Sequence, residues 1–207
     1  MRKIAKREDI KDLILDAVDV LLSRYGFKKM TMDDVAREVG IGKGTIYLHF
    51  PGKEELVLSH VDRIAERVIL KLREIAGSPE PAPGRIRKML AVRVLIRFDC
   101  VVHYSQSLGD LLSSVRMGLL VRRENHFKKE AEVFEDVLWA GVRSGALECS
   151  DPRETSRTLI QCTNSLLPFN LSAKELGRRA EIEDKVNRIA ALVVHGLLPR
   201  GNRPAAS

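Results

Sequence analysis

The sequence predicts an all-α protein. Three observations carry this: apolar residues recur at i, i+3, i+4 and i+7 along most of the chain, no stretch shows sustained strand alternation, and Gly, Pro and capping residues punctuate the periodic runs. With 207 residues, 44% hydrophobic and 30% charged, the chain can bury a substantial core without disulfides or metal.

Helix one is expected from about Glu8 to Tyr25, with Ile10, Leu13, Ile14, Ala17 and Leu21 on one stripe and Gly26 stopping it. Thr31 is placed to cap helix two, and Asp34 at the third position suits both a capping box and the helix dipole. That helix should end near Val39, before Gly40. A short third helix covers Lys43 to His49, and Phe50-Pro51-Gly52 breaks it. The long fourth helix opens with Lys53-Glu54-Glu55 and keeps Leu56, Val61, Ile64, Val68, Leu72 and Ile75 near one face until the Pro/Gly run 77–84. Further helices are expected at roughly 85–104, 108–120, 122–144, 152–168 and 180–198. The clearest start is Asp151-Pro152-Arg153-Glu154, with Asp as cap and Pro at the first helical position. Ser172 and Glu175 mark a short helical turn. The expected division is a helix-turn-helix head (1–52), a larger helical domain (53–200) and a flexible tail (201–207).

Composition excludes several classes of function. No apolar run approaches the ~20 residues of a membrane span, and the basic start leads into Glu8-Asp9 rather than an apolar leader segment, so a cytoplasmic protein without membrane partners is expected. Cys100, Cys149 and Cys162 are too few and too widely spaced for a disulfide framework or metal site, and read as reduced thiols. Phosphate-loop, nucleophile-elbow and HExxH patterns are absent and the five histidines are scattered, so neither catalysis nor a cofactor is expected. The net charge is +7, and the whole excess falls between Arg85 and Lys129. Such a balance favours polyanionic partners, or else describes solvated helix faces.

The informative segment is Thr31–Lys53, TMDDVAREVGIGKGTIYLHFPGK. Ala36 is small where two helices must approach, Gly40 can take a left-handed turn, and Val35, Val39, Ile41 and Ile46 can pack the pair on helix one, as a helix-turn-helix requires. Lys43, Thr45, Tyr47 and His49 then face outward. They offer a cation for phosphate, polar groups for phosphate or base edges, and an aromatic body for thymine methyls. Asp33 and Asp34 would repel DNA and are expected on the side away from phosphate.

Tyr25-Gly26-Phe27, Thr31, Val35-Ala36, Gly40-Ile41, Thr45-Ile46-Tyr47, His49-Phe50 and Lys53-Glu54-Glu55-Leu56 together resemble the N-terminal signature of the TetR family of bacterial transcriptional regulators. The resemblance is close over about residues 8–60 and architectural beyond. It implies that Thr31 and the start of helix two hold phosphate, that Lys43, Gly44 and Thr45 open the recognition helix toward base edges, that Tyr47 and His49 contact backbone or base, and that Lys53 clamps a phosphate. Gly44 lets the backbone approach the groove and costs about 1 kcal/mol of helix stability against Ala. Leu48 stands where many relatives carry an aromatic, which reduces the readout expected there. Arg2, Lys3, Lys6 and Arg7 form an arm that either lies along DNA or is a solvated tail.

One recognition helix reads few base pairs, so a homodimer on double-stranded operator DNA is expected. The apolar stripes Leu159, Cys162, Leu166 and Val186, Ile189, Val193 are its candidate interface, a four-helix bundle with the two-fold mate, although Cys162 on such a face also suits packed core. The resemblance further implies a small-molecule pocket among the middle helices. Its candidate lining is the set of polar or aromatic interruptions Phe98, His103, Tyr104, Met117, Asn125 and Asn164, with Gln106, Phe127 and Phe169 beside them. The basic middle segment suggests an anionic or lipophilic effector. The expected function is a homodimeric repressor released from its operator by that effector. The alternative is a helical protein-interaction module with a degenerate DNA head.

Overall fold

The computed structural model describes residues 7–199 and 201. Arg2, Lys3 and Lys6 of the basic arm, the Arg7 side chain, Arg200 and the tail from Asn202 onward lie outside the described residues.

Among the described residues there are nine α-helices and no strand: α1 Arg7–Lys29, α2 Met32–Val39, α3 Lys43–His49, α4 Lys53–Ala76, α5 Ala82–Val101, α6 Ser105–Arg143, α7 Pro152–Asn164, α8 Ala173–Leu176 and α9 Arg179–Leu197. Short 3-10 turns at Val102–Tyr104 and Pro168–Asn170 link α5 to α6 and α7 to α8. The all-α expectation holds, with three differences in the elements.

First, Gly26 stops the regular run of α1 as expected, but helical structure resumes beyond it. Its φ of 72° is left-handed, and one more turn follows to Lys29. Second, α5 begins at Ala82 rather than 85, because Pro83 sits in the first turn, where a missing amide costs nothing. Third, the two helices expected at 108–120 and 122–144 are one helix of 39 residues. Nothing at the supposed junction breaks it: Leu120 and Val121 are exposed, while Arg122 reaches inward to α4.

Three apolar cores hold these elements together. The first joins Ile14, Val18 and Leu21 of α1 to Val35 of α2, Ile46 of α3 and Leu56 of α4. It continues into Leu108, Leu111 and Val115 of α6, so the packing runs across an expected boundary at 52. The second gathers Leu72, Leu90, Phe134, Leu138, Leu159 and Ala190 from α4, α5, α6, α7 and α9. The third packs Val94 and Phe98 of α5 on Leu166, Leu167, Ile182 and Val186.

These cores correct the expected dimer stripe. Leu159, Leu166 and Val186 are buried inside the monomer, and Cys162, Ile189 and Val193 are half-buried. The apolar periodicity of α7 and α9 is answered by the protein's own α5 and α6. The outward side of α9 carries Leu192 instead, which is 75% exposed.

Candidate nucleic-acid interface and internal cleft

The head is built by local capping. Thr31 Oγ accepts from the Asp34 amide at 3.1 Å, while Asp34 Oδ2 accepts from the Thr31 amide at 3.0 Å and from its hydroxyl at 2.6 Å. These bonds, led by the hydroxyl, hold the Asp34 carboxyl below its ordinary pKa. Gly40 closes α2 in the left-handed region at φ 74°, and the amides of Gly40 and Ile41 both reach Ala36 O at 2.9 and 3.0 Å. The chain thus turns sharply into α3, whose Ile46 is buried against α1 while Lys43, Gly44, Tyr47 and Leu48 are exposed. Thr45 and His49 are half-buried beside them.

The seven expected DNA contacts therefore separate. Lys43, Gly44, Thr45, Tyr47 and His49 share α3. Thr31 keeps its hydroxyl on Asp34. Lys53 donates to the Lys28 carbonyl at 3.3 Å and lies 4.3 Å from the centre of the Phe27 ring, and partial burial lowers its pKa. Asp33 corrects an expectation: it lies on the side of α3 and pairs with Lys43 at 2.8 Å, a bond that raises the lysine's pKa. A phosphate at Lys43 competes with this neighbour. Sequence reasoning undervalues Leu48. It is 76% exposed beside Tyr47, an apolar side chain of the kind able to read thymine methyls, and its signal is an apolar residue on the outward phase of a short helix.

Behind the head, α4 is gripped from both sides. Arg63 donates to Asp16 Oδ1 at 2.7 Å and to the Asp12 carbonyl of α1 at 3.2 Å. Arg122 of α6 binds both carboxylate oxygens of Glu55 at 2.7 Å and also reaches Asp62, whose Oδ1 lies 2.9 Å from His126 Nε2. His60 is buried between these contacts, its Nε2 3.4 Å from Tyr104 Oη and 3.5 Å from Asp19 Oδ1, while Nδ1 has no partner. Burial first, then Arg63 and Arg67, push the imidazole down to about 3, so it stays neutral.

Val61, Ile64 and Ala65 of the same α4 line a narrow cleft with Val101, Tyr104, Leu108, Leu111, Leu119 and Phe169. Its free space is about 40 Å³, little more than a few water-sized spheres. Arg97, Arg123, His126 and Tyr104 are the charged or titratable groups in its wall. Of the expected pocket residues, Tyr104, Phe127 and Phe169 converge here. Phe98 is buried in the third core, His103, Gln106, Met117 and Asn125 are exposed, and Asn164 accepts from Arg93 at 3.1 Å. Residue type alone selects them, whereas convergence depends on how helices cross. Phe127 also borders an open groove of about 600 Å³ between α6 and α7, lined by Lys128, Glu132, Arg153 and Arg157.

Residues 14–59 match the family model described as bacterial regulatory proteins, tetR family. Residues 14–59 thus form a head of the TetR-family type. The chain is 27% identical over 164 residues to the uncharacterized HTH-type transcriptional regulator YhgD of Bacillus subtilis (strain 168), spanning 77% of this chain and 83% of that one. It is 25% identical over 136 residues to the HTH-type transcriptional repressor KstR2 of Rhodococcus jostii (strain RHA1), spanning 64% and 65%. The fold is shared with a crystal structure of a TetR-family transcriptional regulator from Pectobacterium atrosepticum, at a TM-score of 0.75 and 18% identity over 96% of this chain and 99% of that one. With this head, the chain is a DNA-binding transcriptional regulator of the helix-turn-helix type. Among its described residues no helix is long and apolar enough to cross a membrane.

Proposed function

We propose that this TetR-family protein is a cytoplasmic homodimeric repressor, released from operator DNA when a small molecule occupies the cleft behind its head. One observation carries the reading: α4 begins at Lys53, just after the recognition helix ends at His49, shares a core with it through Leu56 and Ile46, and also forms a wall of the cleft. A ligand that prefers one position of α4 therefore also prefers one position of the head, which is the differential binding any release mechanism requires. Residues 1–52 act as the reading head and residues 53–200 as the sensing and pairing body.

At the DNA, Lys43, Gly44, Thr45, Tyr47 and His49 face the groove, with Leu48 adding apolar contact. Thr31 and Lys53 sit at the flanks, where Lys53 reaches phosphate only by leaving the Lys28 carbonyl. Pairing uses the outward faces of α7 and α9, centred on Leu192, with Cys162, Ile189 and Val193 at the margin. The similarity to a repressor supports the sign.

Fluorescence anisotropy of the full chain on the DNA upstream of its own gene, against a scrambled duplex, tests the reading. Specific binding about 10³-fold tighter than to the scrambled duplex is expected. Failure to bind either duplex at low salt would sink it.

A further inference from the structure

The buried polar cluster beside the cleft has unequal charges. Arg93 and Arg97 lie one turn apart on α5, both buried, and the acid between them is Glu130, itself fully buried. Arg93 Nε donates to Glu130 Oε2 at 2.8 Å, and its remaining nitrogens donate to the Ile160 carbonyl, Thr163 Oγ and Asn164 Oδ1. Arg97 donates to Glu130 Oε1 and to the Arg93 carbonyl. Burial works against the Glu130 charge, but the two guanidiniums outweigh it and hold the carboxyl below its ordinary pKa. Two cations and one anion leave an excess positive charge out of water.

A buried charge without a counter-ion costs several kcal/mol, so the site favours an anion brought from outside. Arg93 is enclosed by its partners, whereas Arg97 forms part of the cleft wall. Arg123 joins it there. Its guanidinium lies 5.7 Å from the centre of the Phe127 ring, and it pairs with no carboxylate among the described residues. Asp62 is not in the cleft wall and is already held by Arg122 and His126. The rest of the wall is nearly all aliphatic or aromatic.

We propose that the cleft binds an amphiphilic anion, a carboxylate on an unbranched apolar chain, with the carboxylate against Arg97 and Arg123 and the chain among Val61, Ile64, Leu111 and Leu119. This rests on the effector reading of the same cleft and names the class of molecule it takes. The free space of about 40 Å³ is well below the volume of such a chain, so binding requires the apolar side chains of the wall to rotate apart, and an unbranched chain asks for less opening than a bulky ring system.

The test is calorimetric titration of the full-length protein with submicellar dodecanoate, dodecan-1-ol and dodecyltrimethylammonium. One dodecanoate per chain is expected, at least about tenfold tighter than the alcohol, with no binding of the cation. Arg97→Met leaves Arg93 and Glu130 as a balanced pair, so it should lower dodecanoate affinity to that of the alcohol and leave the alcohol unchanged. Should that variant fail to fold, Arg123→Gln on the half-buried side reads the same preference as a several-fold loss for dodecanoate alone. Equal affinity for alcohol and carboxylate overturns the proposal, as does absence of dodecanoate binding. Repeating the operator titration with each compound separates the two readings. Dodecanoate that binds without weakening DNA affinity supports the ligand class and overturns release. DNA release by alcohol and carboxylate alike does the reverse.

Discussion

His60 shows how one buried side chain makes the head-to-body junction sensitive to pH. Its ring sits among Asp19 and Asp16 of α1, Arg63 and Arg67 of α4, and Tyr104, and its pKa falls from 6.5 to about 3. A base whose folded pKa is depressed binds fewer protons folded than unfolded between those values. Its contribution is therefore complete above pH 6.5 and is lost as the pH falls through that window, by up to about 1.4 kcal/mol per pH unit. Urea unfolding at several pH values should show His60→Gln losing less stability than the parent chain between about pH 6.5 and 5. Parallel losses in the two proteins would mean that the imidazole charges freely in the fold. Gly26 is the second residue of this kind. Its φ of 72° already disfavours a side chain, and a Cβ there would stand 2.8 Å from Ser107 Cβ on α6. Gly26→Ala should cost about 1–3 kcal/mol, and adding Ser107→Gly should recover only the steric part, as thermal melts of the two variants would reveal.

Among the elements, α4 touches the head, the cleft and α6, so its fastenings bear on how far it can shift. Arg122 is the fastening on the α6 side, bridging Glu55 and Asp62 near the start of α4. Arg122→Gln leaves two acids facing each other across a part-exposed site. The expected loss is about 1–2 kcal/mol, a melting shift of a few degrees, and a double-mutant cycle with Asp62→Asn should give a coupling above about 0.5 kcal/mol. A coupling of zero would make the bridge incidental. Little of this is legible in the sequence. The caps at Thr31, Asp151 and Ser172 and the turn at Gly40 are legible because each is chemistry within four residues. The outward face of α3 is legible for the same reason, since one buried Ile46 sets the phase of a seven-residue helix. The cleft is not, because Val61, Tyr104, Leu111 and Phe169 are distant in sequence and alternate with ordinary core residues. The continuity of α6 escapes the periodic pattern through a junction that no Pro or Gly supports. Leu159, Leu166 and Val186 of the expected dimer stripe are covered by their own chain for a different reason: periodicity shows which side of a helix is apolar, but not whether its own chain or a mate covers it.

For the molecule as a whole, the question is where its +7 charge acts. Leu192 is the large apolar residue left exposed on α9, so Leu192→Glu should convert the proposed dimer to monomer in sedimentation velocity and make the melting temperature independent of protein concentration, with cooperative unfolding retained because the core packing is untouched. The charge itself lies mostly in α5 and α6, away from the recognition helix. Arg93 and Arg97 are buried, Arg122 is paired, and Lys88 bonds Glu80 at 2.7 Å. The contact of α6 with α1 is at its beginning, where Lys28 pairs with Asp110 at 2.8 Å. Lys128 and Lys129 are 18 and 19 residues further along, about 28 Å at 1.5 Å per residue. That distance exceeds the screening length of about 8 Å at physiological salt several times over. Net charge therefore says little about DNA affinity here, and the salt dependence should come from the head. In anisotropy titrations over a salt series, Lys43→Ala should flatten the slope of log affinity against log salt by about 0.9 for each phosphate no longer neutralised, hence about 1.8 for a dimer. Lys128→Ala combined with Lys129→Ala removes more charge from each chain and should leave the slope unchanged. The opposite ranking would place the basic body, rather than α3, against the duplex.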